Sequence, residues 1–221
     1  MRLGIKPAVF LARLFVIFFL TYFFWTPFAP AYTHLLATLT KWFLHLTEIS
    51  GDPNLHQVTE MWVNGTAIFY AHRLYPMPNP PGIPAEWVQA NLVLLIPLML
   101  ATPAKTYTQR LGRLGLALGI ALILQVLDIA VTVKSFYSSQ LGNYSQVYYS
   151  DFARRLYQFG DAFAQSMDTQ LFPFGIWAGI HLNQLLGRGE SPVVPAGTRR
   201  AGDGAKTPRK RKALRKAASR S

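Results

Sequence analysis

The run from Ala8 to Phe28 contains LARLFVIFFLTYFFWTPF and constrains the fold more than any other part of the chain. About 20 mainly apolar residues cross about 30 Å of hydrocarbon at 1.5 Å per residue, and this run is long enough to do so. Its end carries Tyr22, Phe23, Phe24 and Trp25, a belt suited to the headgroup interface. Three further segments read as crossings. Trp87 to Ala104 has the core NLVLLIPLMLA with an internal Pro97. Leu111 to Val133 is the longest, and its Gly115 and Gly119 form a small-xxx-small pair that allows close helix approach. Leu171 to Leu186 is the shortest. The expected fold class is therefore an all-α polytopic membrane protein with about four transmembrane helices. A cleaved signal peptide is the competing reading of the first run, because Ala29-Pro30-Ala31 has the form of a cleavage site. The apolar stretch exceeds the roughly 7–15 residues of a signal h-region and ends in aromatic residues, which favours an anchor.

Charge placement sets the orientation. With the N-terminus inside, cytoplasmic segments hold 17 of the 22 Lys and Arg residues, among them Arg13, Lys105, Arg110 and Arg113. The segments left outside hold only Lys41, Arg73, Lys134, Arg154 and Arg155, against seven acids. The positive-inside rule then predicts a multi-pass protein of the cytoplasmic (inner) membrane with both termini in the cytoplasm. Residues 1–187 form the membrane domain on this reading, and 188–221 form a basic cytoplasmic tail. The tail has almost no large apolar side chains and is expected to be disordered. Its Arg209, Lys210, Arg211 and Lys212 are expected to contact anionic lipid headgroups. Nucleic acid is the competing partner, but no aromatic residue interleaves these charges to stack on bases.

Between the expected crossings, the spacing predicts an outer amphipathic helix over 32–49, with Leu35, Leu36, Leu39, Trp42, Phe43 and Leu46 on its apolar face. Alternation around Asn64-Gly65 predicts a β-hairpin over 57–74. Five prolines make 76–84 a stiff extended lead-in to the second crossing. A short helix is expected from Asp151 to Met167.

Chemistry-bearing residues are sparse. The chain has no cysteine, which removes disulfides, thiolate metal sites and a cysteine nucleophile. His34, His45, His56, His72 and His181 make no ligand spacing, so no metal or other cofactor is expected. Asp128 is the one acid inside an expected crossing, where burying a charge is costly. Gln125, Asp128 and Thr132 share a helix face by spacing, and Asn91 lies at similar depth. These four are the candidate binding residues. Structural hydrogen bonding within the bundle is the alternative role for Asp128, and no residues suggest themselves as catalytic.

The order of parts resembles the exosortase/archaeosortase family of membrane transpeptidases: a crossing, an amphipathic helix, an outer hairpin, then a crossing leading through a short basic loop into a long one. The closest stretch is NLVLLIPLMLATPAKTYTQRLGRLGLALGIALILQVLDIAVTV, Asn91 to Val133. The resemblance implies a catalytic Cys at the start of the second crossing, an Arg in an N-x-x-R pattern on the third and a His before the last. Here the first position falls among Val88, Gln89, Ala90 and Asn91, the second matches Gln125-Val126-Leu127-Asp128, and no His lies between Gln158 and Phe174. A thioacyl intermediate needs a thiol, and an acid would repel an oxyanion. The chain therefore resembles non-catalytic accessory proteins of exosortases, such as the exosortase H-associated type, and a membrane exosortase is the implied partner. A small transporter or channel subunit and an unrecognised membrane enzyme are the alternative readings.

Overall fold

A computed structural model describes residues 7–48, 57–75, 77–104, 106–168 and 171–185, and the basic tail with Arg209, Lys210, Arg211 and Lys212 lies outside the described residues. The elements run α1 (Pro7–Thr47), β1 (Thr59–Asn64), β2 (Ala67–His72), β3 (Gly82–Pro84), α2 (Ala85–Ala101), α3 (Tyr107–Gln140), α4 (Asn143–Tyr148), α5 (Asp151–Asp168) and α6 (Leu171–Leu185). The chain is mostly helical with one small sheet. Among the described residues two helices are long and apolar enough to cross a membrane, within Ala8–Thr47 and Tyr107–Gln140, and both are compatible with a membrane protein. The second and fourth expected crossings correspond to shorter apolar helices, Gln89–Ala101 and Leu171–Leu182.

The expected break between a first crossing and an amphipathic helix is absent. One helix of 41 residues, about 60 Å long at 1.5 Å per residue, passes through both Pro27 and Pro30. An internal proline costs roughly 3 kcal/mol, so contacts on either side must offset it. Gln89 of α2 supplies them. Its side-chain oxygen accepts from the Trp25 indole at 3.3 Å, while its amide donates to the Ala29 carbonyl at 3.1 Å and to the Thr33 hydroxyl at 2.6 Å. Pro30 is therefore clasped from both sides.

The buried face of the later half of α1 also differs from expectation. Thr33, Leu36, Ala37, Thr40 and Leu44 face the core, whereas Leu35, Trp42 and Leu46 are exposed. Small and hydroxylated residues let α1 lie close to its neighbours, and the bulky ones point away. Leu36, Leu44, Ile68, Tyr70, Ile129, Val133 and Tyr137 form one apolar core beneath the sheet. A second core joins Leu92, Leu95 and Met99 of α2 to Ala117 and Ala121 of α3.

The hairpin is present, shifted by one residue from its expected centre. Asn64 pairs with Ala67, so the two-residue loop is Gly65-Thr66. Gly65 has φ of 60° and Thr66 is not in the positive region, the arrangement of a type II′ turn. The proline-rich lead-in adds an unforeseen third strand: β3 pairs antiparallel with β2, Ile83 opposite Ile68. Proline is tolerated there because β3 is an edge strand. The Ala85 amide then donates to the Thr66 carbonyl at 2.8 Å, so the sheet passes straight into α2.

Beyond α3 the chain turns back. A Cβ on Gly160 of α5 would lie 3.1 Å from Val131 of α3, and the Thr132 hydroxyl donates to the Asp161 carboxylate at 2.8 Å. Farther down, Phe172 of α6 meets Gln125 of α3 across one small cavity, and the Trp177 indole donates to Thr102 just past α2 at 2.8 Å. Together α5 and α6 retrace the course of α3 in the opposite direction. By contrast, a Cβ on Gly112, Gly115 or Gly119 would meet nothing within 4 Å, so the close approach that Gly115 and Gly119 would allow is not made among the described residues.

Candidate functional site

The four candidate residues do not gather into one site. Asn91 and Gln125 are both buried and line the same cavity with Phe172 and Pro173, but that space of about 10 Å³ holds at most a single water molecule. Gln125 also accepts a hydrogen bond from the Tyr32 phenol at 2.5 Å, tying α3 to α1. Thr132, two turns on, is engaged with Asp161 of α5. Asp128 lies between them, half-buried and not without a partner. Residues that share a helix face by spacing meet different neighbours here, because α1 and α6 flank the level of Gln125 while α5 flanks the level of Thr132.

A larger polar space opens beside Thr132. It has a volume of about 380 Å³ and is walled by α3, α5 and Tyr70 of β2, with Asp161, Gln158 and Gln165 on one side and Ser135, Phe136 and Ser139 on the other. Burial holds the Tyr70 phenol above its ordinary range, and the Asp161 charge adds to this, so Tyr70 stays a hydrogen-bond donor. The Tyr70 and Phe136 rings meet edge to face at 5.7 Å.

Beneath the same face of the sheet, nearer the end where Thr59 pairs with His72, lies a buried ionic cluster that spacing alone does not reveal. Glu48, just past the end of α1, has a side chain only 3% exposed and takes the Lys134 ammonium at 2.9 Å. The Thr59 hydroxyl donates to the same carboxylate at 2.5 Å, its backbone amide donates at 3.3 Å, and His45 Nε2 lies 3.0 Å from the Thr59 carbonyl. A charge-assisted pair with added donors is the geometry in which a buried carboxylate is best satisfied. The apolar periodicity of α1 lends Glu48 no distinction. Its signal would have been the coincidence of a lone acid at one helix end with a lone lysine at another.

His72 completes the cluster. Its Nδ1 accepts from the Leu74 amide at 3.3 Å, and its ring is enclosed by Tyr75, Tyr137 and Tyr144 at 4.5 to 5.2 Å. Its Nε2 is buried without a hydrogen-bond partner among the described residues. Burial pulls the imidazole down to about 4, with Glu48 opposing and Lys134 reinforcing, so the ring is neutral. Burial likewise pushes the Tyr144 phenol up to about 12. Among the described residues no three His, Cys, Asp or Glu side chains are grouped to hold a metal ion.

A third cavity of about 510 Å³ separates α1 from α2 beside the hairpin turn, bordered by Tyr22, Trp25, Thr66 and Glu86. Gln89 lines it, with both ends of its amide already engaged by Trp25, Ala29 and Thr33. No protein-family model, curated protein or solved structure matches the chain.

Proposed function

We propose that this is a non-catalytic integral membrane accessory protein of an exosortase-type protein-sorting system, crossing the cytoplasmic membrane four times with both termini in the cytoplasm. One observation carries the reading. The three stretches on which the resemblance would place Cys, Arg and His converge around the same cavity, through Asn91, Gln125 and Phe172. The chain has no cysteine, an acid stands at the arginine position, and the cavity is too small for a substrate carbonyl. A family architecture with its reaction centre filled in is what a partner-binding relative would keep.

Exposure supports the membrane placement. Phe15, Val16, Phe19, Phe23, Phe24 and Phe28 of α1 are all exposed, Phe23 to 76%, which in water would form an apolar surface far beyond that of ordinary soluble proteins. The fourth crossing is a broken one. α6 alone spans about 22 Å at 1.5 Å per residue, less than the hydrocarbon thickness of about 30 Å. The lower part of α5 supplies the remainder, and large apolar side chains are exposed on both helices, Phe159 and Phe163 on α5 and Leu171 and Phe174 on α6. The tail residues Arg209, Lys210, Arg211 and Lys212 then lie at the inner leaflet, each worth about 1 kcal/mol against anionic lipid.

Affinity purification from gently solubilised source membranes tests the proposal. A membrane exosortase that contains the Cys, Arg and His should co-purify in near-stoichiometric amount. Its absence from the purified material, or from the source genome, would remove the reading.

A further inference from the structure

We propose that the groove between α3, α5 and β2 binds a cationic side chain, the guanidinium or ammonium of an arginine or lysine in a polypeptide. This site goes beyond the accessory reading and does not depend on it.

The groove is acidic in a basic protein. The chain carries a net charge of +12, yet among the described residues the walls contain one carboxylate, Asp161, and no Lys or Arg. Of the nearby cations, Lys134 is paired with Glu48 at 2.9 Å and Arg154 with Asp151, and Arg155, on an exposed part of α5, does not line the groove. Asp161 has only one hydrogen-bond donor among the described residues, the Thr132 hydroxyl, which occupies one lone pair of Oδ1. A carboxylate accepts about four hydrogen bonds, so most of its capacity is left for a ligand in the groove that it lines.

The remaining wall chemistry selects the kind of cation. Tyr70 and Phe136 line the groove with the carboxylate, and an aromatic ring attracts a cation within about 6 Å of its centroid. Among the described residues no three His, Cys, Asp or Glu side chains are grouped to hold a metal ion, so a single carboxylate beside aromatic rings suits an organic cation better. The volume of about 380 Å³ falls within the range of organic-ligand pockets, about 300 to 1,000 Å³, and far exceeds a lone ammonium group. Gln140, Gln158 and Gln165 add amides that both donate and accept, which is what a peptide backbone on either side of the cationic residue requires.

The test uses the full-length protein in uncharged maltoside micelles and fluorescence anisotropy of a labelled Gly-Ser-Arg-Ser-Gly amide. The expected result is saturable binding that weakens about tenfold or more when the arginine is replaced by citrulline, which keeps the shape and removes the charge. Asp161→Asn, which retains an acceptor for Thr132, should weaken binding to the same degree, and Asp151→Asn, outside the groove, should leave it unchanged. Equal affinity for the arginine and citrulline peptides, or unaltered binding by Asp161→Asn, would overturn the proposal. Added phosphatidylethanolamine carries the same ammonium chemistry on a lipid. Peptide binding that persists in its presence supports the polypeptide ligand, whereas displacement that disappears in Asp161→Asn assigns the groove to a headgroup and overturns it. An accessory protein that co-purifies with its partner while binding no cationic peptide would lose only this site.

Discussion

The Lys134 ammonium lies 2.9 Å from the Glu48 carboxylate, and this contact joins the ends of the two longest helices beneath the sheet. Both groups are largely withdrawn from water, at 15% and 3% exposure. Breaking such a pair from one side leaves an uncompensated buried charge, which costs about 3–5 kcal/mol. Lys134→Met and Glu48→Gln should each lower the thermal midpoint of the purified protein strongly. The double variant Glu48→Leu with Lys134→Met should recover much of the loss, because apolar replacements of similar volume are well tolerated in place of a buried pair. Additive losses in the double variant would contradict this.

His72 gives the sheet end of the molecule a pH dependence. The folded ring stays neutral down to about 4, whereas in the unfolded chain it takes a proton near its ordinary 6.5. The unfolded state therefore binds more protons between these values, and the stability contributed by neutral His72 is complete above about 6.5 and lost as pH falls toward 4. Thermal unfolding followed between pH 7 and 4 should show a fall that is smaller in His72→Phe. Glu48 and Lys134 remain in that variant, so the difference between the two curves isolates the imidazole. Parallel curves would show that other groups carry the acid sensitivity.

Gln89 holds α1 together across Pro30. Gln89→Leu leaves the Trp25 N–H without its acceptor and removes two donors from Ala29 and Thr33, an expected loss of about 1–3 kcal/mol. Deuterium exchange should accelerate at residues 29–34 while the hairpin stays protected. Unchanged exchange there would mean that α1 needs no clasp.

Gly65 has open space around its Cβ position, so only its backbone resists substitution. Gly65→Ala should cost about 1–2 kcal/mol from the left-handed conformation alone. Gly82→Ala is different in kind, since its methyl would fall 2.9 Å from the Phe69 ring and force that ring to move. Chemical denaturation of the two variants, with Thr66→Ala as a reference, distinguishes backbone strain from collision.

Long-period features are legible in the sequence, and those decided by tertiary contact are not. The helices at 87–104, 111–133, 151–167 and 171–186 fall within a few residues of their observed ends in most cases, because their apolar patterns or capping signals are local; the one expected over 111–133 extends to Gln140 because its polar end packs under the sheet. The expected division between a crossing ending at Phe28 and an amphipathic helix from Tyr32 follows from the interfacial aromatic belt and the change in spacing, and it is overridden by contacts such as those of Gln89, a residue 59 positions from Pro30. The hairpin is visible in Asn64-Gly65, but which residue takes the positive φ depends on register, and β3 is hidden because prolines argue against strand except at an edge. Of the candidate site, the nearness of Asn91 and Gln125 is readable from depth. The partners of Thr132 and Glu48 are not, because Asp161 and Lys134 lie 29 and 86 residues away in sequence.

A single cysteine placed in this cysteine-free chain allows the most direct measurement of the accessory role. Phe19→Cys sits on the exposed face of α1 and can carry a thiol-linked photocrosslinker in native membranes. The predicted product is a covalent adduct with a multi-pass membrane protein that contains the cysteine, the N-x-x-R arginine and the histidine of an exosortase. Adducts with lipid alone, or only with a second copy of the same chain, would contradict it.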